Sequence, residues 1–316
     1  LDGPMIASSG YQVMASAGIF ARLGPLTIQL QPQYVSAANS DFRGTKQTPN
    51  YQQTHWGNSS IRLNAGPVSV GISSENITWG PSLMNPLLMS AHAPGFLHYT
   101  LNSRRPLRTP IGSFEWQWVA AFLDGIDPKY NGIADISYAD ATQRRYFNGA
   151  MLSYQPKWIK GLSMGLTRVV QEPELLYNLD KQWNLLFSSV ARINDASFDI
   201  EIQRDQYAAA FLRWVWQPAH AEFYTEWGRN DTYYTMRDFI QQPEHSRAYT
   251  YGFRKLFGAE LETIKPNPVP KTPKYYWQFI TEYTRTQQPS TWPVRSAGSW
   301  YVRGDMPGYT QLGQIM

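Results

Sequence analysis

Four segments of this chain alternate strictly between apolar and polar residues, and their apolar faces are rich in aromatic rings. In 114–122, Phe114, Trp116, Trp118, Ala120 and Phe122 share one face of an extended chain, while Glu115 and Gln117 occupy the other. The same pattern sets Trp277, Phe279, Thr281 and Tyr283 against Gln278 and Glu282, and Phe198, Ile200 and Ile202 against Asp199, Glu201 and Gln203. In 221–227, Phe223 and Trp227 stand opposite Glu222 and Glu226. A period of two is the signature of strands with two unlike surroundings. Composition says which surroundings: aromatic residues reach 15%, whereas charged residues are only 16%, well below the roughly 25% of an ordinary globular protein. Trp and Tyr at that level suit the aromatic girdles of a strand-built membrane protein. Mean hydropathy is −0.43, and no apolar run approaches the roughly 18 residues that a membrane helix requires. A helical membrane protein is therefore excluded, and a β-barrel is not.

Connection lengths support the barrel. Short turns are expected at 24–25, 65–67, 108–112, 156–161 and 217–220, each marked by Gly or Pro. Between them lie long connections at 37–59, 78–96, 125–144, 172–196 and 229–243. Outer-membrane barrels alternate short periplasmic turns with long extracellular loops, so the expected fold is all-β, an antiparallel transmembrane barrel with about a dozen readable strands. Two stretches sit awkwardly. Residues 183–193 suit a short amphipathic helix slightly better than a strand. The segment 257–273, with Pro266, Pro268, Pro270 and Pro273, reads as a stiff periplasmic extension or docking segment.

The stretch 77–107 carries Pro81, Pro86, Pro94 and Pro106, so no regular element runs through it. Its Leu83, Met84, Leu87, Leu88 and Met89 form an apolar side that must be buried against something. The expectation is a loop folded across the extracellular mouth of the barrel. There Trp79 would offer a stacking face to a sugar ring, with His92 beside it and Arg104 and Arg105 taking sugar carboxylates. Trp56, Trp183, Trp292, Trp300 and Tyr301 are further stacking candidates near loop bases.

Trp79-Gly80-Pro81-Ser82, Ser90-Ala91-His92-Ala93-Pro94-Gly95 and Arg104-Arg105-Pro106 resemble signatures of Wzi-type capsule-assembly outer-membrane proteins. The stretches 157–168, 221–227, 245–256 and 308–316 are similar to that family's strand motifs, in the same order. The resemblance implies a barrel of about 18 strands in the cell outer membrane, acting as a surface-polysaccharide lectin without catalysis. It also implies that residues 1–316 form one barrel lacking N-terminal helices and C-terminal strands.

Chemistry read from the residues agrees with a non-enzyme. Glu222 and Glu226 share a face but stand about 13 Å apart along a strand, beyond the roughly 5 to 9.5 Å that a glycosidase pair needs. Ion pairs with Arg168, Arg213, Arg254 or Arg285 are the expected role of the inward carboxylates. The five histidines show no ligand spacing, cysteine is absent, and no phosphate loop, dinucleotide fingerprint or serine elbow occurs. No metal and no cofactor are expected. The net charge of +4 is spread out, and the basic spots at 104–108 and 144–145 are too short for nucleic acid. The remaining partners are surface polysaccharide, including acidic kinds, and outer-membrane lipid. The alternative is a barrel of the same kind serving as a structural subunit of a larger complex with other outer-membrane proteins; a diffusion porin is disfavoured by the 77–107 loop.

Overall fold

The structure, a computed structural model, describes residues 3–5, 10–38, 51–124, 144–173, 205–230, 246–258, 276–287 and 300, plus four two-residue strands between 302 and 315. The expectations for 125–143, 183–193 and 198–203, and for nearly all of 257–273, fall outside these residues.

Sixteen strands precede the last four, and all pairings are antiparallel: β1 (Gln12–Ser16), β2 (Ile19–Leu23), β3 (Leu26–Leu30), β4 (Gln33–Ala37), β5 (Tyr51–His55), β6 (Ser60–Ala65), β7 (Val68–Ser73), β8 (His98–Ser103), β9 (Leu107–Thr109), β10 (Gly112–Leu123), β11 (Arg145–Pro156), β12 (Leu162–Pro173), β13 (Asp205–Trp216), β14 (Ala221–Asn230), β15 (Arg247–Phe257) and β16 (Trp277–Arg285). Thirteen of them form one sheet in the order β16-β15-β14-β13-β12-β11-β10-β8-β7-β6-β3-β2, with β9 also on β10. Neighbours in space are thus neighbours in sequence, as an up-and-down barrel demands. The final strands β17 (Val302–Arg303), β18 (Met306–Pro307), β19 (Thr310–Gln311) and β20 (Gln314–Ile315) pair as two hairpins.

The first three strand pairs show a break that the sequence reading missed. β1, β4 and β5 make a separate sheet that continues β2, β3 and β6 past a kink. Pro32 interrupts the β3–β4 ladder, and Gly57, at φ +58°, lets Gln31 approach too closely for any side chain there. The long connection expected at 37–59 therefore contains β5, whose Tyr-Gln-Gln-Thr-His sequence has no apolar face to reveal it. Val35, Ala37 and Tyr51 bury a small core of their own with Met5 against it.

Register assigns the faces. Gln117 pairs with Asn102 and Met151, and Trp118 with Leu101 and Ala150, so the Gln117 side and the Trp118 side stay on opposite faces across three strands. The aromatic-apolar side is open: Ile61, Leu166, Phe279 and Tyr283 are all more than half exposed. That is the lipid side of a barrel wall. All five expected short turns are short connections here. Gly24 and Gly66 stand first in theirs with φ near +58° (+58° and +57°), each followed by Pro, the arrangement of tight hairpin turns that need a positive φ.

Candidate functional site

The 74–97 loop does not lie across the mouth; it packs on the inner face of the sheet. Ile77, Trp79, Leu87, Leu88 and Met89 join one core with inward-facing Val119, Phe147, Val169, Tyr207 and Ala248, along with Trp300. The reason is area. Inward positions of β10 to β15 near the long-loop end are apolar or small, and the loop's apolar side is the surface that covers them. Trp79 rests on Gly149 of β11, where a β-carbon would stand 2.7 Å from the indole, while its neighbour Gly80 abuts Glu226 of β14. Strands three places apart lie about 14 Å apart in a flat sheet. Two adjacent residues reach both, because the Trp79 indole and the Glu226 side chain extend across the gap, so the loop lies over the inner face from β11 to β14.

Two lumen carboxylates hold the loop backbone. Glu226 is 2% exposed and accepts the Ser82 N–H at 2.8 Å on one oxygen and the Leu87 N–H at 2.9 Å on the other. Glu282 accepts N–H groups from Leu83 at 2.9 Å, Met84 at 3.2 Å and Asn85 at 2.7 Å, and the Tyr224 hydroxyl at 2.8 Å. Thr250 donates to the Asn85 carbonyl. Within the loop the Trp79 N–H closes on the Met89 carbonyl at 3.2 Å, and the Trp79 indole N–H donates to Gln117 at 2.9 Å. Pro81 and Pro86 lie within this turn on either side of the clasped residues 82–85, and a proline-stiffened loop loses less entropy on docking. Gly80, at φ +87°, admits Glu226 where any side chain would collide. The sequence singled out Glu222, Glu226 and Glu282 as inward carboxylates, but only the fold reveals that two of them grip backbone.

Glu222 does form the expected ion pairs, though with two of the four arginines. Arg213 reaches it bidentately at 2.9 and 3.0 Å, and Arg254 reaches its second oxygen. Arg168 and Arg285 belong to the other face, a correction set by register. Arg168 pairs across from Ala150 and Ala208 on the outward side and donates to Gln206. Arg285 sits opposite Tyr249 and donates to its hydroxyl at 3.3 Å. Every inward carboxylate of β14 and β16 thus has its acceptors occupied, which leaves no free acid–base pair among them.

The structure does not bring the four expected glycan residues together. Trp79 is 2% exposed, with its ring against Gly149 and its N–H occupied, so it has no open stacking face. Trp300, another stacking candidate, is 1% exposed in the same core. His92 is half-buried in the turn after Ser90, next to Ala91, whose carbonyl accepts the Gly3 N–H. Arg104 and Arg105 are exposed at the opposite end, beside the short 66–67 turn, where the Arg104 backbone N–H donates to Pro67 and its guanidinium to Gly66. The cause is the path of β8, which runs from the loop to the short-turn end before those arginines. Trp56, 67% exposed, stays open; Trp183, Trp292 and Tyr301 fall outside the described residues.

The chain is similar in structure to Wzi, described as a carbohydrate-binding β-barrel outer-membrane protein involved in group 1 capsule assembly in Escherichia coli. The match has a TM-score of 0.58 at 12% identity and covers 95% of this chain and 56% of Wzi. The fold is that of an outer-membrane β-barrel. The chain spans about half the length of Wzi, 56%. A weaker likeness, TM-score 0.41 at 8% identity over 86% of this chain and 67% of the other, is to OccK8 (OprE) of Pseudomonas aeruginosa. No protein-family model and no curated protein sequence matches the chain.

Proposed function

We propose that this chain forms much of an outer-membrane barrel that holds surface polysaccharide without chemically altering it, in the service of capsule assembly. The observation that carries the reading is the clasped loop. A wall whose inner face carries the 79–89 segment at its long-loop end, bonded through five backbone N–H groups to Glu226 and Glu282, is built to be obstructed rather than to pass solutes. The saturated carboxylates argue against hydrolysis, and the fold likeness to a carbohydrate-binding barrel supports a glycan partner. With Trp79 enclosed, the open aromatic face that remains for sugar is Trp56, at the kink between β5 and β6 on the side away from the short turns. The test is retention of purified capsular polysaccharide by the detergent-folded protein, alongside conductance in planar bilayers. Retention that falls with Trp56→Ala, with closed bilayers, is the expected result. Stable open channels with no retained glycan would overturn the reading in favour of a porin.

A further inference from the structure

Below the loop, the short-turn half of the lumen holds a second feature that the clasp does not use. A cavity of about 570 Å³ opens on the inner face of β2, β3, β6, β7, β8, β10 and β11, within the roughly 300 to 1,000 Å³ typical of small-molecule sites. Its roof is Gln117, the residue that accepts the Trp79 indole N–H.

The lining is chemically mixed in a specific way. Arg22, Arg62 and Arg104 bring three cations to it and Glu115 one carboxylate. Arg62 is already committed, to Glu75 and, at 3.0 Å, to Asn102. Among the described residues, Arg22 and Arg104 have no carboxylate partner, and neither does Glu115 have a cation. Ser69 supplies the independent sign of a missing ligand: it lines the cavity, is 2% exposed, and its hydroxyl has no hydrogen-bond partner. A buried hydroxyl left unmet costs free energy, and a ligand hydroxyl would meet it. Asn64 adds to this, because its amide N–H groups go to Pro25 and Thr27 and its carbonyl stays available to accept. Phe20 adds an aromatic face on β2.

We propose that this cavity is a binding site for a hydroxylated organic anion of the sugar-acid class, reached from the periplasmic side. The two guanidiniums that lack a carboxylate partner, Arg22 and Arg104, take the carboxylate, for which their planar forks are matched. Glu115, Asn64 and Ser69 take ring hydroxyls, and Phe20 packs against the apolar face of the ring. A bare inorganic anion fits less well, because Glu115 repels it and it has no use for the phenyl ring. The site lies at the opposite end of the lumen from Trp56, so it stands independently of surface glycan retention.

The test is calorimetry of the full chain in detergent with trigalacturonate, with maltotriose as the neutral trisaccharide and inorganic phosphate as competitor. Trigalacturonate should bind, maltotriose should bind at least tenfold more weakly, and a tenfold excess of phosphate should leave the affinity unchanged. Arg22→Gln with Arg104→Gln should weaken trigalacturonate at least tenfold, while Lys157→Gln, at the same end but outside the cavity, should not. Both arginines are exposed, so folding is checked simply by heat-modifiable migration on gels. An unchanged affinity in the double variant, equal binding of maltotriose, or displacement by phosphate would each overturn the assignment. Capsule retention measured on the same variants separates this site from the surface reading, since Arg22 and Arg104 should leave it intact.

Discussion

Glu226→Gln tests the clasp most directly. The substitution keeps one acceptor oxygen but places an amide N–H₂ against one of two backbone donors, either Ser82 N–H or Leu87 N–H. One charge-assisted hydrogen bond is lost, about 1.5 to 3 kcal/mol, and a buried donor is left unmet, about 1 to 3 kcal/mol more. Neutralising a carboxylate that is 2% exposed offsets part of this, because the desolvation of a buried charge is itself costly. The net loss in docking free energy is about 2 kcal/mol, which at tenfold per 1.4 kcal/mol is roughly a 30-fold increase in the population of the undocked loop. The loss should be local, since β14 keeps its ladders to β13 and β15. Hydrogen exchange followed by mass spectrometry reads this: peptides covering 79–89 should exchange roughly 30-fold faster, while peptides from β12 and β13 should not change. Wild-type exchange in the loop would refute the clasp. So would an equal acceleration by Glu222→Gln, because Glu222 touches no loop atom among its bonds.

Leu166→Arg, mid-strand on the outward face of β12 and 63% exposed, should cost about 2 to 4 kcal/mol of stability in lipid bilayers. Urea unfolding would read it, and a cost under about 1 kcal/mol would deny the lipid face. Glu222→Gln, which leaves Arg213 and Arg254 facing each other without their shared anion, should lower stability by about 3 kcal/mol in the same assay. Epitope tags inserted at the 24–25 and 66–67 turns should stay shielded on intact cells, whereas a tag at 131 should be labelled by antibody; surface labelling of both sets would invert the topology.

The wall of the barrel was legible because a strand with lipid on one side and a lumen on the other must alternate, and β10, β14 and β16 do so plainly. Turn positions were legible for a related reason, since Gly-Pro at 24–25 and 66–67 cannot continue a ladder. The site was less so. The apolar side of 83–89 announced that the loop is buried, but not that the lumen rather than the mouth receives it. That depends on the small inward residues of distant strands, among them Gly149, Gly228 and Ala248, whose convergence no local pattern records. Register hid Arg168 and Arg285 in the same way: each looks like a lumen partner by proximity in sequence, and a single-residue offset sends it to the other face. β5 stayed invisible because both its faces are polar.

The carboxylates that hold the loop lie between 139 and 199 residues further along the chain than the amides they grip. Contacts of such long sequence separation carry a large loop-closure cost, which the strands between them offset by holding the two ends together. A one-residue slip of β14 or β16 along its neighbour would turn Glu226 or Glu282 to the lipid side and strand the backbone amides of 82–87 without acceptors. Docking of the loop is thus possible only on a wall whose register is right from β10 through β16. A seated loop is therefore a signature of correct strand register across that part of the wall.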